Sequence, residues 1–340
     1  MEQMSDWNTH LIAAGARFFS DGSVEKFGDG PAESASVQSE ALVVPLTTSG
    51  TISVTGEDAI SFLNSQLTSD VPAASASRAQ YSGYCTPKGR LLATVLLVVR
   101  DAGIELILPG ELAKPIAERL RKYVLRAKAS LEVTSDRNVL LGICGNGAAG
   151  VVETALSTGP LEESFAVHGD GDAMVVVLPG NRLLVSCGAV EAPAIWESLQ
   201  ARARPSGIAA WTLQGIRAGI ATIRTATQEM FTPQMVSLDK CGGVSFDKGC
   251  YPGQEIVART RYLGQVKRRL YRGSCAGPAF PGDNIVATAD GKTVGTVTDA
   301  AAATPDLYEF LAVMQRDAAS PDTGLRLASG VDVSNLAEVD

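Results

Sequence analysis

The chain is most informative at residues 248–255, which read Lys248-Gly249-Cys250-Tyr251-Pro252-Gly253-Gln254-Glu255. This stretch overlaps the end of an irregular region, 229–253, that is rich in Gly and Pro and has no hydrophobic period. A long irregular segment inside a compact domain is uncommon unless it has a function. We therefore expect the functional site to lie here.

The thiol of Cys250 is the strongest candidate for a reactive group in this stretch. Gly249 and Gly253 flank it and permit a tight turn with close approach of a ligand. The residues after Pro252 can begin a helix, and Lys248 lies two positions away, so backbone N–H dipoles and a positive charge favour the thiolate. We predict that Cys250 is a nucleophile; the alternative is a buried, unreactive thiol.

A basic cluster follows the stretch, although the formal net charge of the chain is -8. Between positions 259 and 272 it contains Arg259, Arg261, Lys267, Arg268, Arg269 and Arg272. Such a cluster can bind phosphates, the carboxylates of a polyglutamylated cofactor or an RNA backbone. The alternative is a solvated surface whose charges pair with the excess acidic residues. Because the chain as a whole is acidic, an anionic ligand needs a local basic patch.

Composition narrows the class of protein. Hydrophobic residues make up 45% and charged residues 19%, which is typical of a folded globular chain. Six cysteines without a C-x-x-C pair, and two histidines, predict no tightly bound metal. The longest apolar stretches, such as 91–99, are under half of the ~20 residues that a membrane-spanning helix needs. With no targeting pattern at the N-terminus, we expect a bacterial cytoplasmic protein without a membrane partner.

The hydrophobic periodicity predicts an α+β fold. Residues 51–55 alternate as a strand does, and the apolar runs 91–99 and 104–108 flank a turn, which indicates a hairpin. Residues 112–124 carry an apolar stripe at helical spacing. Residues 20–40 have few large apolar side chains and are expected to be loosely ordered.

The same patterns divide the chain into segments. Asp290-Gly291 is a strong tight-turn signal among short alternating runs, so the C-terminal part is expected to be a small β-barrel. The predicted divisions are an N-terminal lead-in at 1–41, a first α+β domain at 42–130 plus 205–264, a second α+β domain at 131–204, and the C-terminal β-barrel at 265–330.

The stretch 248–255 resembles the signature K-G-C-Y-x-G-Q-E of the YgfZ family and matches it at every specified position. Across residues 42–330 the chain is similar to that family at five further motifs: Phe231–Gln234, Val257–Arg259, Gly56–Ala59, Gln66–Val71 and Thr86–Arg90. The resemblance implies a fold like the T-protein, the aminomethyltransferase of the glycine cleavage system. That fold is a ring of three domains around a central channel that receives tetrahydrofolate, with a C-terminal β-barrel. The first α+β domain would then bind the folate.

The resemblance also implies roles for single residues. Cys250 is expected to be the key functional residue, and its frame is Lys248, Gly249, Tyr251, Gly253, Gln254 and Glu255. The expected cofactor is tetrahydrofolate or a one-carbon derivative, and the residues expected to contact it are Arg217, Gln234, Tyr251 and Arg259. Tyr251 is open to a second use, as a core residue. The expected anion patch is Arg261, Lys267, Arg268 and Arg269.

The function implied by the resemblance is support of the assembly or repair of Fe–S enzymes, including radical enzymes that thiomethylate tRNA. The expected partners are folate, Fe–S client enzymes and tRNA contacted through the basic cluster.

Two departures from the T-protein pattern bear on whether this chain is an enzyme. Residues 91–94 lack the T-protein's catalytic carboxylate, and Arg217 stands where the T-protein string R-x-E-A-G has Glu, so Arg217 can instead pair with a glutamate tail. A folate-dependent aminomethyltransferase or demethylase, and a non-catalytic RNA-binding adaptor, stay open as alternatives.

Overall fold

The structure is a computed structural model and describes residues 2–169, 173–263, 267–319 and 324–339. The helices α1 to α8 of these residues are Glu2–Ala13, Gly30–Ala35, Ala59–Asn64, Gly110–Arg121, Ala148–Leu156, Ala192–Gln200, Ile208–Arg217 and Gln254–Leu263. The strands β1 to β19 are Arg17–Phe18, Val24–Lys26, Ala41–Pro45, Ser49–Thr55, Gln80–Cys85, Leu91–Arg100, Gly103–Pro109, Ser130–Val133, Asn138–Gly145, Val167–His168, Ala173–Leu178, Arg182–Gly188, Arg204–Pro205, Arg268–Cys275, Asn284–Ala287, Thr293–Thr304, Leu307–Gln315, Leu325–Leu327 and Val333–Glu338.

Three sheets contain most of these strands. The first is antiparallel, in the order β5-β6-β7-β4-β8. The second has the order β10-β11-β12-β9-β3-β13 and is antiparallel except for the parallel pair β3 and β13. The third, β18-β15-β16-β17-β14-β19, is antiparallel and curls into a half-barrel. The predicted α+β class is confirmed.

Apolar side chains from all three sheets meet in one hydrophobic cluster. It includes Leu96 of β6, Val176 of β11 and Val313 of β17, each at most 5% exposed. The predicted hairpin at β6 and β7 is confirmed, and the residues of β6 up to Val98 are buried because the strand lies between two packed layers. The sheets therefore converge on one shared interior.

The segment 20–40 is more ordered than its composition predicts. It contains β2 and α2, and Glu33 is buried with 1% of its surface exposed. The Glu33 carboxylate accepts hydrogen bonds from the backbone N–H groups of Phe27, Gly28 and Gly207. The expectation of loose order is wrong here because one buried carboxylate supplies the acceptors that organise a segment with few large apolar side chains.

The irregular region 229–253 is held against the first sheet by backbone hydrogen bonds. The N–H of Glu229 donates to the carbonyl of Leu91, and the N–H of Leu91 donates to the carbonyl of Phe231, both at 2.8 Å. Further along, the Thr68 hydroxyl donates to the carbonyl of Gly243 at 2.6 Å. The region thus keeps a defined path without an apolar period of its own.

The ammonium group of Lys248 completes this attachment. It donates to the backbone carbonyls of Asn64, Leu67 and Ser69 at 2.5, 2.9 and 2.6 Å. These carbonyls lie at the end of α3 and just after it, where helix carbonyls lack partners within the helix and attract positive charge. Burial lowers the pKa of Lys248 to about 8, while the negative charge of Asp70 acts in the opposite direction. Lys248 therefore attaches the stretch 248–255 to α3 and to the residues that follow α3.

Replacing Lys248 with methionine tests this attachment. Lys248→Met keeps a long side chain but leaves three partly buried carbonyls without their donor, so we expect the free energy of unfolding to fall by about 1–3 kcal/mol. Urea denaturation measures the change. The control is Lys128→Met, which removes an exposed ammonium paired with exposed Glu57 and should cost no more than about 1 kcal/mol. Equal effects of the two substitutions would show that Lys248 does not anchor the turn.

Candidate functional site

The thiol of Cys250 lies at the surface. Four of the six cysteines are buried and Cys241 is half-buried, whereas Cys250 is exposed. Burial raises the pKa of Cys85 and of Cys144 to about 12, which keeps those two as unreactive thiols. The alternative of a buried Cys250 is therefore wrong, and Cys250 is the thiol most accessible to a reagent or partner.

A close backbone contact fixes the turn that presents this thiol. Gly253 has a φ of +84°, and a Cβ at this position would lie 2.6 Å from Gly89 Cα and from the Thr86 carbonyl oxygen. No other residue type fits such a contact at this φ without displacing the neighbouring turn. The motif Thr86–Arg90 and the stretch 248–255, far apart in sequence, are therefore adjacent parts of one structure.

The other frame residues support the turn or lie beside it. The Gln254 side-chain amide donates to the Lys248 carbonyl at 3.4 Å, and its backbone N–H donates to the Tyr251 carbonyl at 3.1 Å. Gly249 and Glu255 are exposed, with Glu255 in the first turn of α8. Tyr251 is 6% exposed, so its side chain packs in the core, which is the second of the two uses considered for it. The Lys248 ammonium lies 5.5 Å from the centroid of the Tyr251 ring.

A separate cavity lies between the sheets. The volume of this cavity is about 150 Å³. Its polar lining includes Tyr81, Thr94, Arg182, Trp211, Cys241 and Asp299. These residues come from β5, β6, β12, α7, the irregular region and β16, so all three sheets contribute to the wall. Leucine, isoleucine and valine side chains surround these polar groups, and small-molecule sites are likewise mostly apolar with a few placed polar groups.

The cavity's aromatic and charged groups were missed by sequence reasoning. Trp211 is half-buried on α7, and Arg182 is 5% exposed at the start of β12. Asp299, at 4% exposure on β16, accepts a hydrogen bond from the Thr222 N–H at 2.9 Å, and burial raises its pKa. The sequence shows Trp211 and Asp299 within otherwise regular elements. No pattern of neighbouring residues, however, indicates that these side chains meet in one site.

The four predicted cofactor contacts lie outside the lining of this cavity. Arg217 forms a bidentate ion pair with Glu309, with Nε and Nη2 donating to the carboxylate. Gln234 is buried and donates to the carbonyl of Val257 in α8 at 2.6 Å. Arg259 is exposed on α8, and Tyr251 is in the core. Contact of these residues with a cofactor stays a prediction.

The predicted anion patch is largely at the surface. Arg261, Lys267 and Arg268 are exposed, and Arg269 is half-buried. The Arg261 guanidinium lies 4.1 Å from the Phe246 ring centroid, which is within the range of a cation–π contact. Together with Arg259, these residues form a basic surface at α8 and the start of β14, which we call the α8 basic surface.

Within the described ranges, no group of three or more His, Cys, Asp or Glu side chains is arranged to hold a metal ion. No helix in this part of the chain is long and apolar enough to cross a membrane.

A solved structure of similar fold is the glycine cleavage system aminomethyltransferase T from Bartonella henselae. It matches with a TM-score of 0.80, covering 96% of this chain and 94% of that chain at 18% identity. At this identity the likeness establishes the fold alone, and it confirms the predicted T-protein-like architecture. The boundaries proposed for the individual domains stay a prediction.

Curated relatives match this chain at higher sequence identity than that structure does. No family model matches the chain. The tRNA-modifying protein YgfZ of Hamiltonella defensa subsp. Acyrthosiphon pisum is 36% identical over 242 residues, which is 70% of this chain and 72% of the relative. The protein of the same name from Edwardsiella ictaluri is 37% identical over 227 residues, 66% of this chain and 68% of the relative. The chain belongs to the family of the tRNA-modifying protein YgfZ.

Proposed function

We propose that this chain binds a reduced folate in its central cavity. We further propose that it supports the assembly or repair of Fe–S enzymes, including radical enzymes that thiomethylate tRNA, through the thiol of Cys250. The relatives named as tRNA-modifying proteins support the link to tRNA, and the fold shared with an aminomethyltransferase supports the folate. The single observation that carries the proposal is the cavity walled by all three sheets.

The cavity has the chemistry that a folate needs. Its wall is mainly apolar, and the half-buried ring of Trp211 can stack against an aromatic ring of the ligand, such as the p-aminobenzoyl group of a folate. Asp299 supplies a carboxyl acceptor for N–H groups such as those of a pterin, and Arg182 supplies donors for an acceptor or anion. An aromatic wall with a few convergent polar groups fixes the orientation of such a ligand.

The position of Cys250 suits a large partner. Its thiol is exposed, while the turn beneath it is fixed by the Lys248 hydrogen bonds and the Gly253 contact. A thiolate is a nucleophile and a ligand for iron, so an accessible thiol on a fixed turn can meet a group on the surface of a client enzyme. Cys250 is not among the residues that line the cavity.

One observation favours the alternative of a folate-dependent aminomethyltransferase or demethylase. Residues 91–94 lack the catalytic carboxylate of the T-protein, but Asp299 brings a carboxyl group into the same cavity from the third sheet. Burial raises the pKa of this carboxyl, and the charge of Arg224 acts in the opposite direction. Formation of methylene-tetrahydrofolate from an aminomethyl donor distinguishes this alternative, since the main proposal requires no such turnover.

Replacing Trp211 tests the folate site. Trp211→Leu keeps an apolar side chain but removes the stacking face, so we expect the Kd for tetrahydrofolate to rise about tenfold. Isothermal titration calorimetry under anaerobic conditions measures both proteins. The control, Phe280→Leu, removes an aromatic ring that is 62% exposed and lies outside the cavity lining. An unchanged Kd in Trp211→Leu, or no binding to the unsubstituted protein, would overturn the cavity as the folate site.

Replacing Cys250 tests the role of the thiol. In cells whose own gene is deleted, we expect a copy with Cys250→Ala to leave Fe–S-dependent thiomethylation of tRNA near the deletion level, because the reacting sulfur is gone. The modified nucleosides are measured by mass spectrometry of digested tRNA. Cys187→Ala, which removes a buried thiol, should restore thiomethylation at a similar protein level. Full restoration by Cys250→Ala at normal protein level would remove the thiol from the mechanism.

Reversing charges on the α8 basic surface tests whether this surface contacts tRNA. A non-catalytic RNA-binding adaptor would need the same contact. Arg259 and Lys267 are exposed, so Arg259→Glu with Lys267→Glu should lower tRNA affinity about tenfold or more and weaken its salt dependence. Filter binding at several salt concentrations measures both quantities. The control reverses two exposed charges elsewhere, Lys122→Glu with Arg126→Glu. Identical affinities and salt slopes for all proteins would exclude this surface as a tRNA site.

A further inference from the structure

Arg182 is a buried cation without a carboxylate partner. The residue is 5% exposed, and its Nε donates to the carbonyl of Pro179 at 3.0 Å. Its Nη2 is buried without a hydrogen-bond partner, and none of the ion pairs formed among the described residues includes Arg182. A side-chain hydrogen bond with Tyr81 and the ring of Trp211 stabilise the guanidinium in part. A buried charge is still costly unless an opposite charge pairs with it, and no carboxylate among the described residues does so.

The guanidinium lies at the wall of the central cavity. Its central carbon is 5.1 Å from the centroid of the Trp211 ring, and both residues line the cavity with Tyr81. Burial raises the pKa of Tyr81, and the charge of Arg182 opposes that rise, which reflects how close the two groups are. Arg182 therefore lines the space where a ligand of the cavity would lie, and it also lines a second cavity with Gly145 and Leu161.

The surrounding backbone makes room for this pair. A Cβ at Gly142 would lie 2.5 Å from the Trp211 ring, and a Cβ at Gly215 would lie 3.1 Å from Arg182 Nη1. Two positions without side chains, one on β9 and one on α7, thus allow the ring and the guanidinium to approach the wall closely. The stack of Arg182 on Trp211 is a built feature of the cavity.

We propose that Arg182 binds a carboxylate of the ligand in the central cavity. A carboxylate supplies the missing negative charge and accepts hydrogen bonds from a guanidinium in a fixed geometry. If the ligand is a reduced folate, as in the proposed function on which this assignment rests, the carboxylates are those of its glutamate tail. The tail carboxylates then lie at the Arg182 wall, formed by the second sheet, the p-aminobenzoyl ring lies beside Trp211, and the pterin lies farther from Arg182.

Removing the guanidinium should weaken the binding of ligands that have carboxylates and leave the binding of ligands without carboxylates nearly unchanged. In Arg182→Met, we expect the Kd for tetrahydrofolate to rise about 10- to 100-fold, because a charged hydrogen-bonding group is lost. The Kd for 6-methyltetrahydropterin, which has no carboxylate, should change less than about twofold. The Kd for p-aminobenzoylglutamate, which has the carboxylates but no pterin, should rise with that for tetrahydrofolate. Anaerobic calorimetry measures all three.

The controls separate this assignment from the folate proposal. Arg204→Met removes an equal charge at the surface and should leave every Kd unchanged. Arg182→Gln, which retains donor groups, replaces the methionine variant if that variant fails to fold. Binding of p-aminobenzoylglutamate that depends on Arg182, without binding of tetrahydrofolate, would refute the folate and retain the carboxylate site. Equal loss of affinity for all probes, or no loss for either carboxylate probe, would overturn the assignment of Arg182.

Discussion

The Lys248 ammonium donates to three backbone carbonyls at the end of α3 and just after it, and so fixes a segment that has no hydrophobic period of its own. Tyr251 is the buried side chain of the stretch 248–255, and polar and backbone contacts hold the residues around it. The Gly253 contact with the turn 86–89 is the second of these. Both contacts attach the cysteine turn to the first sheet and its helix, so the thiol is exposed without being loosely held.

The region before this turn belongs to a different surface. Val236, Leu238 and Cys241 line the central cavity, whereas Cys250 lies in solvent. Just before these residues in the chain, the Gln234 side chain donates to the carbonyl of Val257 and so joins the region to α8. One continuous segment therefore forms part of the cavity wall and also presents a thiol outward. This arrangement suits a protein in which a bound cofactor and a macromolecular client are handled on two sides of the same segment.

Sequence reasoning succeeded where the signal was local. The β6–β7 hairpin followed from two apolar runs around a turn, and the position of α8 followed from the residues after Pro252. The cavity could not be predicted in this way, because Arg182, Trp211 and Asp299 are separated by many residues and meet only when three sheets pack together. The order around Glu33 was missed for a related reason, since its carboxylate acts on the distant N–H of Gly207.

The most direct measurement is a crystal structure of the chain with tetrahydrofolate bound. We predict electron density for the folate inside the cavity between the three sheets, in contact with Trp211, and a Cys250 sulfur outside contact distance of the ligand. Density for the folate beside Cys250 on the outer surface, with the cavity holding only solvent, would contradict the division into a cofactor pocket and an exposed thiol.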